Sequence, residues 1–251
     1  FELALDEDTF EVSGNVEEET PEKYPYLGSK NAPVIIEIYT DLDDPFTEKF
    51  YLETYSELKE KYISTGKVKY VFKNFPLGFH DFAEPAAVAT KCVFKELGNS
   101  AFFELHDTIL ENQGSLSIQN LKKWTLETGM SETTYNSCIV DPSIKDEVQD
   151  EIAQGKTLGV SGTPWFFING ETVIGYQPFS VFEKVIDYSL RVKVEEVKLN
   201  GITVSRGDVL DVNNGETIEV QLQVHAFETI DKARFQVSLH RPEAGNIYTV
   251  Y

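Results

Sequence analysis

Cysteine is scarce in this sequence, which has only two among 251 residues, Cys92 and Cys138. They lie far apart, so the sequence lacks the Cys-x-x-Cys spacing in which thiol–disulfide oxidoreductases hold their reactive pair. An enzyme of that class could use only these two thiols, and it is kept as one alternative. No Ser/His/Asp grouping and no pair of histidines with metal-ligand spacing stands out either, so we expect no cofactor.

Basic residues are also few, because 22 Lys and Arg stand against 42 Asp and Glu, a net charge of −20. This excess argues against nucleic-acid partners, whose phosphates require clustered cations, and against adsorption to anionic lipid. It is typical of a solvated acidic surface that keeps a secreted protein soluble. No apolar run approaches the roughly 20 residues of a membrane helix, so we expect no membrane span. The sequence begins with Phe1 rather than Met, which is compatible with the removal of a signal peptide or of a membrane anchor.

One stretch organises the chain, the junction between an apolar run at residues 34–39 and a long helical pattern. The run predicts a buried strand. Asp44 is a favourable N-cap and Pro45 a favourable first helical residue. The predicted apolar face of the helix contains Phe46, Phe50, Tyr51, Tyr55, Leu58 and Tyr62.

Other patterns place the remaining elements. Residues 1–12 alternate weakly and predict a strand, and 13–25 predict an arm without a core pattern. Further on we expect a strand at 67–73, helices at 83–97, 100–112, 117–128, 131–139 and 143–157, a hairpin with strands at 165–169 and 172–176, and a closing helix at 179–190.

The last segment, 191–251, changes to short alternating strands, with Asn200-Gly201 as a turn signal. This predicts a small immunoglobulin-like β-sandwich module. About 60 residues is short for a fold that usually has about 100, so we expect it to be truncated or completed by another strand. A strand from residues 1–12, of this chain or of a neighbour, is one source. Exchange between neighbours would give a filament or surface-layer subunit.

Two segments carry a resemblance to a family. Residues 41–47 read Asp-Leu-Asp-Asp-Pro-Phe-Thr, and 160–170 read Val-Ser-Gly-Thr-Pro-Trp-Phe-Phe-Ile-Asn-Gly. The chain resembles the DsbA-like proteins of the thioredoxin superfamily over residues 26–190. Their active-site turn is Asp-aromatic-x-Cys-Pro-aromatic-Cys, so Asp44 and Thr47 stand where the family has its two cysteines. Neither residue can attack a disulfide as a thiolate does.

The resemblance implies a thioredoxin-like α/β domain with a helical insertion at about 81–158. It implies that Pro164, after Thr163, is cis, and that the backbone before it could still pair with an extended peptide. The alternative is that the fold alone requires this turn. Members of the family often carry a second, non-catalytic cysteine pair at similar places. We therefore expect Cys92 and Cys138 to form a disulfide, with two buried free thiols as the alternative.

The family's buried acid in the first core strand falls on Ile38, counting back from Asp44. Glu37 is one residue away and is expected on the opposite face of the strand. Loss of this acid would agree with loss of thiol–disulfide exchange activity. A local bulge that restores Glu37 to the site is the alternative.

Four acidic residues lie around the turn: Asp41, Asp43, Asp44 and Glu48. They form a weak candidate for a Ca²⁺ site, although their spacing fits no known calcium loop. The simpler hypothesis is that Asp44 caps the helix while Asp41 and Asp43 are solvated.

These observations predict a redox-inactive DsbA-like protein of the cell envelope or exterior, with a structural or protein-binding role. The expected partner is a protein or peptide, including a second copy of the chain. The predicted domains are an N-terminal strand and arm at 1–25, the thioredoxin-like domain at 26–190 and the β module at 191–251.

Overall fold

A computed structural model describes residues 23–199, 202–203, 220–226, 237–240 and 247–250. The predicted strand at 1–12 lies outside these residues, and so does the proposed exchange of that strand. Within the described part of the chain, no helix is both long and apolar enough to cross a membrane.

The centre of the fold is a five-stranded sheet in the order β1-β3-β2-β4-β5. Strands β2 and β3 are parallel and all other neighbours are antiparallel. Most of their apolar residues are buried because helices pack on the sheet, whereas Ile35 in β2 and Ile174 in β5 are exposed. The strands are β1 (Tyr26–Gly28), β2 (Val34–Thr40), β3 (Val68–Asn74), β4 (Trp165–Ile168) and β5 (Glu171–Ile174).

The predicted long helix follows β2 and alternates between α- and π-helical turns. It comprises α1 (Pro45–Phe50), a π segment (Tyr51–Tyr55), α2 (Ser56–Leu58) and a second π segment (Lys59–Ile63). Most of its predicted apolar face is buried, but Phe46, in the first turn of the helix, is 60% exposed.

The helical insertion has the predicted content. Its elements are α3 (Ala83–Glu111), a 3₁₀ turn (Gln113–Ser115), α4 (Ile118–Glu127), α5 (Glu132–Cys138) and α6 (Pro142–Thr157). The helices predicted at 83–97 and 100–112 form one element that breaks at Gly98, whose φ of 80° is accessible to glycine. Cys92 in α3 and Cys138 in α5 form a disulfide, which confirms the predicted pair.

The chain returns to the sheet through a hairpin and a closing helix. Asn169 and Gly170 both have positive φ, 45° and 98°, as the type I′ turn predicted for Asn-Gly requires. The closing helix is α7 (Phe179–Arg191), and Phe182 and Ile186 on it are fully buried in the main core.

Beyond α7 the described residues form two further sheets. One has the order β7-β6-β8 and the other pairs β9 with β10, all antiparallel. The strands are β6 (Val192–Leu199), β7 (Ile202–Thr203), β8 (Val220–Ala226), β9 (Val237–His240) and β10 (Ile247–Val250). The β character of this segment agrees with the sequence, whereas its immunoglobulin-like sandwich and the domain limits stay predictions.

Candidate functional site

The site is built around the carboxylate of Asp44, which is the N-cap of α1 and only 3% exposed. Its Oδ1 accepts a hydrogen bond from the backbone N–H of Phe46 at 3.0 Å. Its Oδ2 accepts from the hydroxyl of Thr163 at 2.6 Å and from that of Thr47 at 3.2 Å. Three donors therefore hold this anion at the positive end of the helix.

The peptide bond between Thr163 and Pro164 is cis, as the resemblance implied. This bend brings Thr163 to the N-terminus of α1 although 119 residues separate it from Asp44. Thr47 also accepts a hydrogen bond from Thr40 at 3.0 Å. The predicted residues thus meet in one chain of hydrogen bonds, Thr40 to Thr47 to Asp44, with Thr163 from the other side.

Asp41 does not lie in solvent as the simpler sequence hypothesis had it, because the side chain is 1% exposed. Its Oδ2 lies 2.8 Å from Nδ1 of His80 and accepts from the backbone N–H of Leu77 at 2.9 Å. Its Oδ1 accepts from the N–H of Asp43 at 2.8 Å. Burial raises the pKa of Asp41, and these hydrogen bonds oppose the rise. Asp41 therefore connects the turn to the segment after β3 through hydrogen bonds.

The other acidic residues of the turn have different surroundings. Asp43 accepts from the backbone N–H of Phe82 at 2.8 Å, just before α3, so it too is tied to the protein. Glu48 lies one helical turn after Asp44 and is half-buried. Within the described residues, no three His, Cys, Asp or Glu side chains are grouped so that they could hold a metal ion. Asp41, Asp43 and Asp44 thus each accept hydrogen bonds from protein donors.

Glu37 is not restored to the site. The pairing of β2 with β3 runs without a shift, with Glu37 opposite Val71 and Ile38 opposite Phe72, so the alternative of a bulge was wrong. Glu37 instead accepts from the Lys73 ammonium at 2.6 Å. Burial is the largest single effect and lowers the pKa of Lys73, but the charge and hydrogen bond of Glu37, together with Tyr39 and Tyr24, outweigh it, so the net shift is upward. Ile38, at the family's acid position, is buried and apolar.

Reasoning from the residues missed two side chains that shape the turn. Gln113 donates from Nε2 to the carbonyls of Leu42 at 2.8 Å and Asp44 at 3.1 Å. The Nδ1 atom of His80 lies within hydrogen-bond distance of the Asp41 carboxylate. Both occur in segments that resemble the family, but no local pattern shows that they reach a turn 39 and 69 residues earlier.

The cysteines lie away from this turn, between α3 and α5. Cys92 is 0% exposed and Cys138 9%, and both are in the disulfide. The site itself thus offers a buried carboxylate and two hydroxyls that donate hydrogen bonds to it.

Comparisons with known proteins agree with this architecture. The model of a family described as Thioredoxin matches residues 20–188. A "Putative protein-disulfide oxidoreductase" of Rickettsia bellii is 26% identical over 190 residues, 72% of this chain and 70% of the relative. The Na(+)/H(+) antiporter NhaA 3 of Salinispora tropica is 25% identical over 151 residues, 60% of this chain but only 22% of the antiporter. Among solved structures, alpha-DsbA1 of Wolbachia pipientis superposes with a TM-score of 0.60 at 25% identity, covering 66% of this chain and 90% of that one.

Proposed function

The chain belongs to the thioredoxin family as a DsbA-like member, and from this we propose that it is a redox-inactive, extracytoplasmic protein that binds a protein or peptide partner. The observation that carries the proposal is the carboxylate of Asp44 at the N-terminus of α1, hydrogen-bonded to Thr47 and Thr163. It keeps a negative charge at the helix end. A carboxylate cannot form the mixed disulfide through which thiol–disulfide exchange proceeds.

The disulfide supports both parts of the proposal. Both cysteines of the sequence are used in the Cys92–Cys138 bridge, so no thiol remains for exchange at the turn. Structural disulfides persist in oxidising compartments, which favours a location outside the cytoplasm.

A binding role rests on the surface around Pro164. The resemblance to DsbA-like proteins implies that the backbone before Pro164 can pair with an extended peptide, even without the cysteines. Phe46, exposed beside Asp44, adds an apolar contact of the kind found in peptide sites.

The redox part is tested by insulin reduction and by oxidation of a reduced peptide. We expect no turnover above a buffer blank, and some turnover for the double variant Asp44→Cys/Thr47→Cys. That variant should be slow because Ile38 replaces the buried acid. Turnover by the unmodified protein that disappears in Cys92→Ala would contradict the proposal.

The binding part is tested by trapping. The single variant Asp44→Cys places a thiol at the turn, and Glu48→Cys places one a helical turn away as a matched control. With an extended peptide that carries one activated cysteine, we expect a mixed disulfide with Asp44→Cys that an unlabelled peptide competes away. Equal trapping by both variants would mean that there is no peptide site at Pro164.

A second candidate is a thiol–disulfide oxidoreductase, which the name of the Rickettsia bellii relative favours. In this chain the reaction would have to pass through Cys92–Cys138, which is buried between two helices. The same assays with Cys92→Ala decide between the two candidates.

A further inference from the structure

A cleft of about 590 Å³ lies between the segment after β3 and helix α6. None of Asp44, Thr47, Thr163 and Pro164 lines it, so it is distinct from the degenerate turn. Its volume is within the range of small-molecule sites, about 300–1,000 Å³. The apolar part of its lining, Phe75, Leu77 and Ile152, is called the floor, and charged side chains also line the cleft.

The first wall offers hydrogen-bond acceptors. It contains His80, Asp81 and Glu84. The buried carboxylate of Asp41 engages Nδ1 of His80, so Nε2 is the ring nitrogen left to a ligand. Glu84 forms an ion pair with Lys145 at 3.3 Å, whereas Asp81 has no ion pair among the described residues.

The second wall offers donors. Gln149, Ile152 and Lys156 line the cleft from α6 at positions i, i+3 and i+7, which lie on one face of a helix. Lys156 has no ion pair within the described part of the chain, although the protein has nearly twice as many acidic as basic residues. Among the described residues, the cleft thus has a carboxylate without an ion pair on one side and an ammonium without an ion pair on the other.

We propose that this cleft binds a small zwitterion with an apolar group, namely an α-amino acid or a dipeptide. The ligand's ammonium group lies against His80 and Asp81, its carboxylate against Lys156 and the Gln149 amide, and its apolar side chain on the floor of Phe75, Leu77 and Ile152. Two opposite charges on facing walls select a molecule that carries both, because a ligand with only one charge leaves the other wall unmatched.

The probes are L-phenylalanine and the dipeptide Leu-Leu, titrated by NMR and by calorimetry into the full-length protein. Two single-charge analogues, N-acetyl-L-phenylalanine and L-phenylalanine amide, are run in parallel. We expect saturable binding of one or both zwitterions and at least fivefold weaker binding of both analogues. The stronger probe tells a free amino acid from a dipeptide.

Two variants locate the site. Asp81→Asn and Lys156→Met are each expected to weaken the zwitterion roughly fivefold, since partly exposed ion pairs contribute modestly. The matched controls are Asp146→Asn, on α6 but outside the cleft, and Lys123→Met on α4, and both should bind as the unmodified protein does. Thermal melts show that all four variants are folded. Absence of saturable binding, equal binding of the single-charge analogues, or binding unchanged in both cleft variants would overturn the proposal.

Discussion

Replacement of Asp44 by alanine tests whether this carboxylate holds the turn together. The substitution removes the N-cap of α1 and the acceptor for the hydroxyls of Thr47 and Thr163. A lost cap costs about 1 kcal/mol, and each hydrogen bond to a charged group contributes about 1.5–3 kcal/mol. Thr47 keeps its hydrogen bond to Thr40, so the lost bond from Thr47 contributes less to the destabilisation than the lost bond from Thr163.

We therefore expect Asp44→Ala to lower the free energy of unfolding by roughly 3 kcal/mol, which is the cost of the lost cap plus that of about one hydrogen bond to a charged group. The assay is urea unfolding followed by the fluorescence of Trp124 and Trp165. Asp44→Asn is the graded control, because the amide oxygen can still cap the helix but carries no charge, and its loss should be smaller.

A double-mutant cycle isolates the long-range contact. Thr163→Val removes the hydroxyl at nearly constant shape, and the cycle with Asp44→Ala should give a coupling free energy of about 1–2 kcal/mol. Asp146→Ala, an exposed position on α6, should show no coupling with Thr163→Val. Neutral surface substitutions usually change the free energy of unfolding by less than roughly 0.5 kcal/mol. If Asp44→Ala has so small an effect and shows no coupling with Thr163→Val, Asp44 does not stabilise the turn.

Three further predictions concern stability. Cys92→Ala/Cys138→Ala should lower the free energy of unfolding by about 4 kcal/mol, from the chain entropy of a loop spanning 46 residues, and an unchanged urea midpoint would contradict this. Burial raises the pKa of Asp41 in the folded state, so ionisation of this carboxyl opposes folding. The stability that the protonated carboxyl contributes is fully present below a pH of about 3.8, and it is lost as the pH rises through the higher pKa of the folded state. The stability of the protein relative to Asp41→Asn should therefore decrease with pH in urea titrations from pH 3 to 7, and an increase would show that the sign is wrong. Gly155→Ala should destabilise by about 1 kcal/mol in spite of its better helix propensity, since the added Cβ would lie 2.8 Å from two ring carbons of Phe75; a higher melting temperature would show that the ring can move aside.

The resemblance and the local patterns together predicted much of the domain. The α/β domain with a helical insertion, the cis bond at Pro164 and the Cys92–Cys138 pair came with the family. The Asn169-Gly170 hairpin and the Asp44 cap came from turn and capping chemistry, which acts over a few residues and therefore needs no tertiary context.

The surroundings of the acidic residues could not be predicted in this way. A pattern around Asp41 cannot show that His80 lies beside it, because the two residues are 39 positions apart in the sequence. The loop after another strand brings the His80 ring to Asp41. For the same reason Phe46 fits the helical period yet faces solvent, since burial depends on which element packs over a turn.

The sequence by itself determined that this chain has no Cys-x-x-Cys pair, because its two cysteines are Cys92 and Cys138. Only the tertiary structure decided what surrounds Asp44: the turn before Pro164 brings Thr163 within 2.6 Å of Asp44 across 119 residues. Hydrogen bonds form only within about 3 Å, so a contact between distant residues depends on how the whole chain packs. Asp44, which the sequence predicted as a helix cap, thereby also accepts hydrogen bonds from Thr47 and Thr163, so three donors fix its carboxylate.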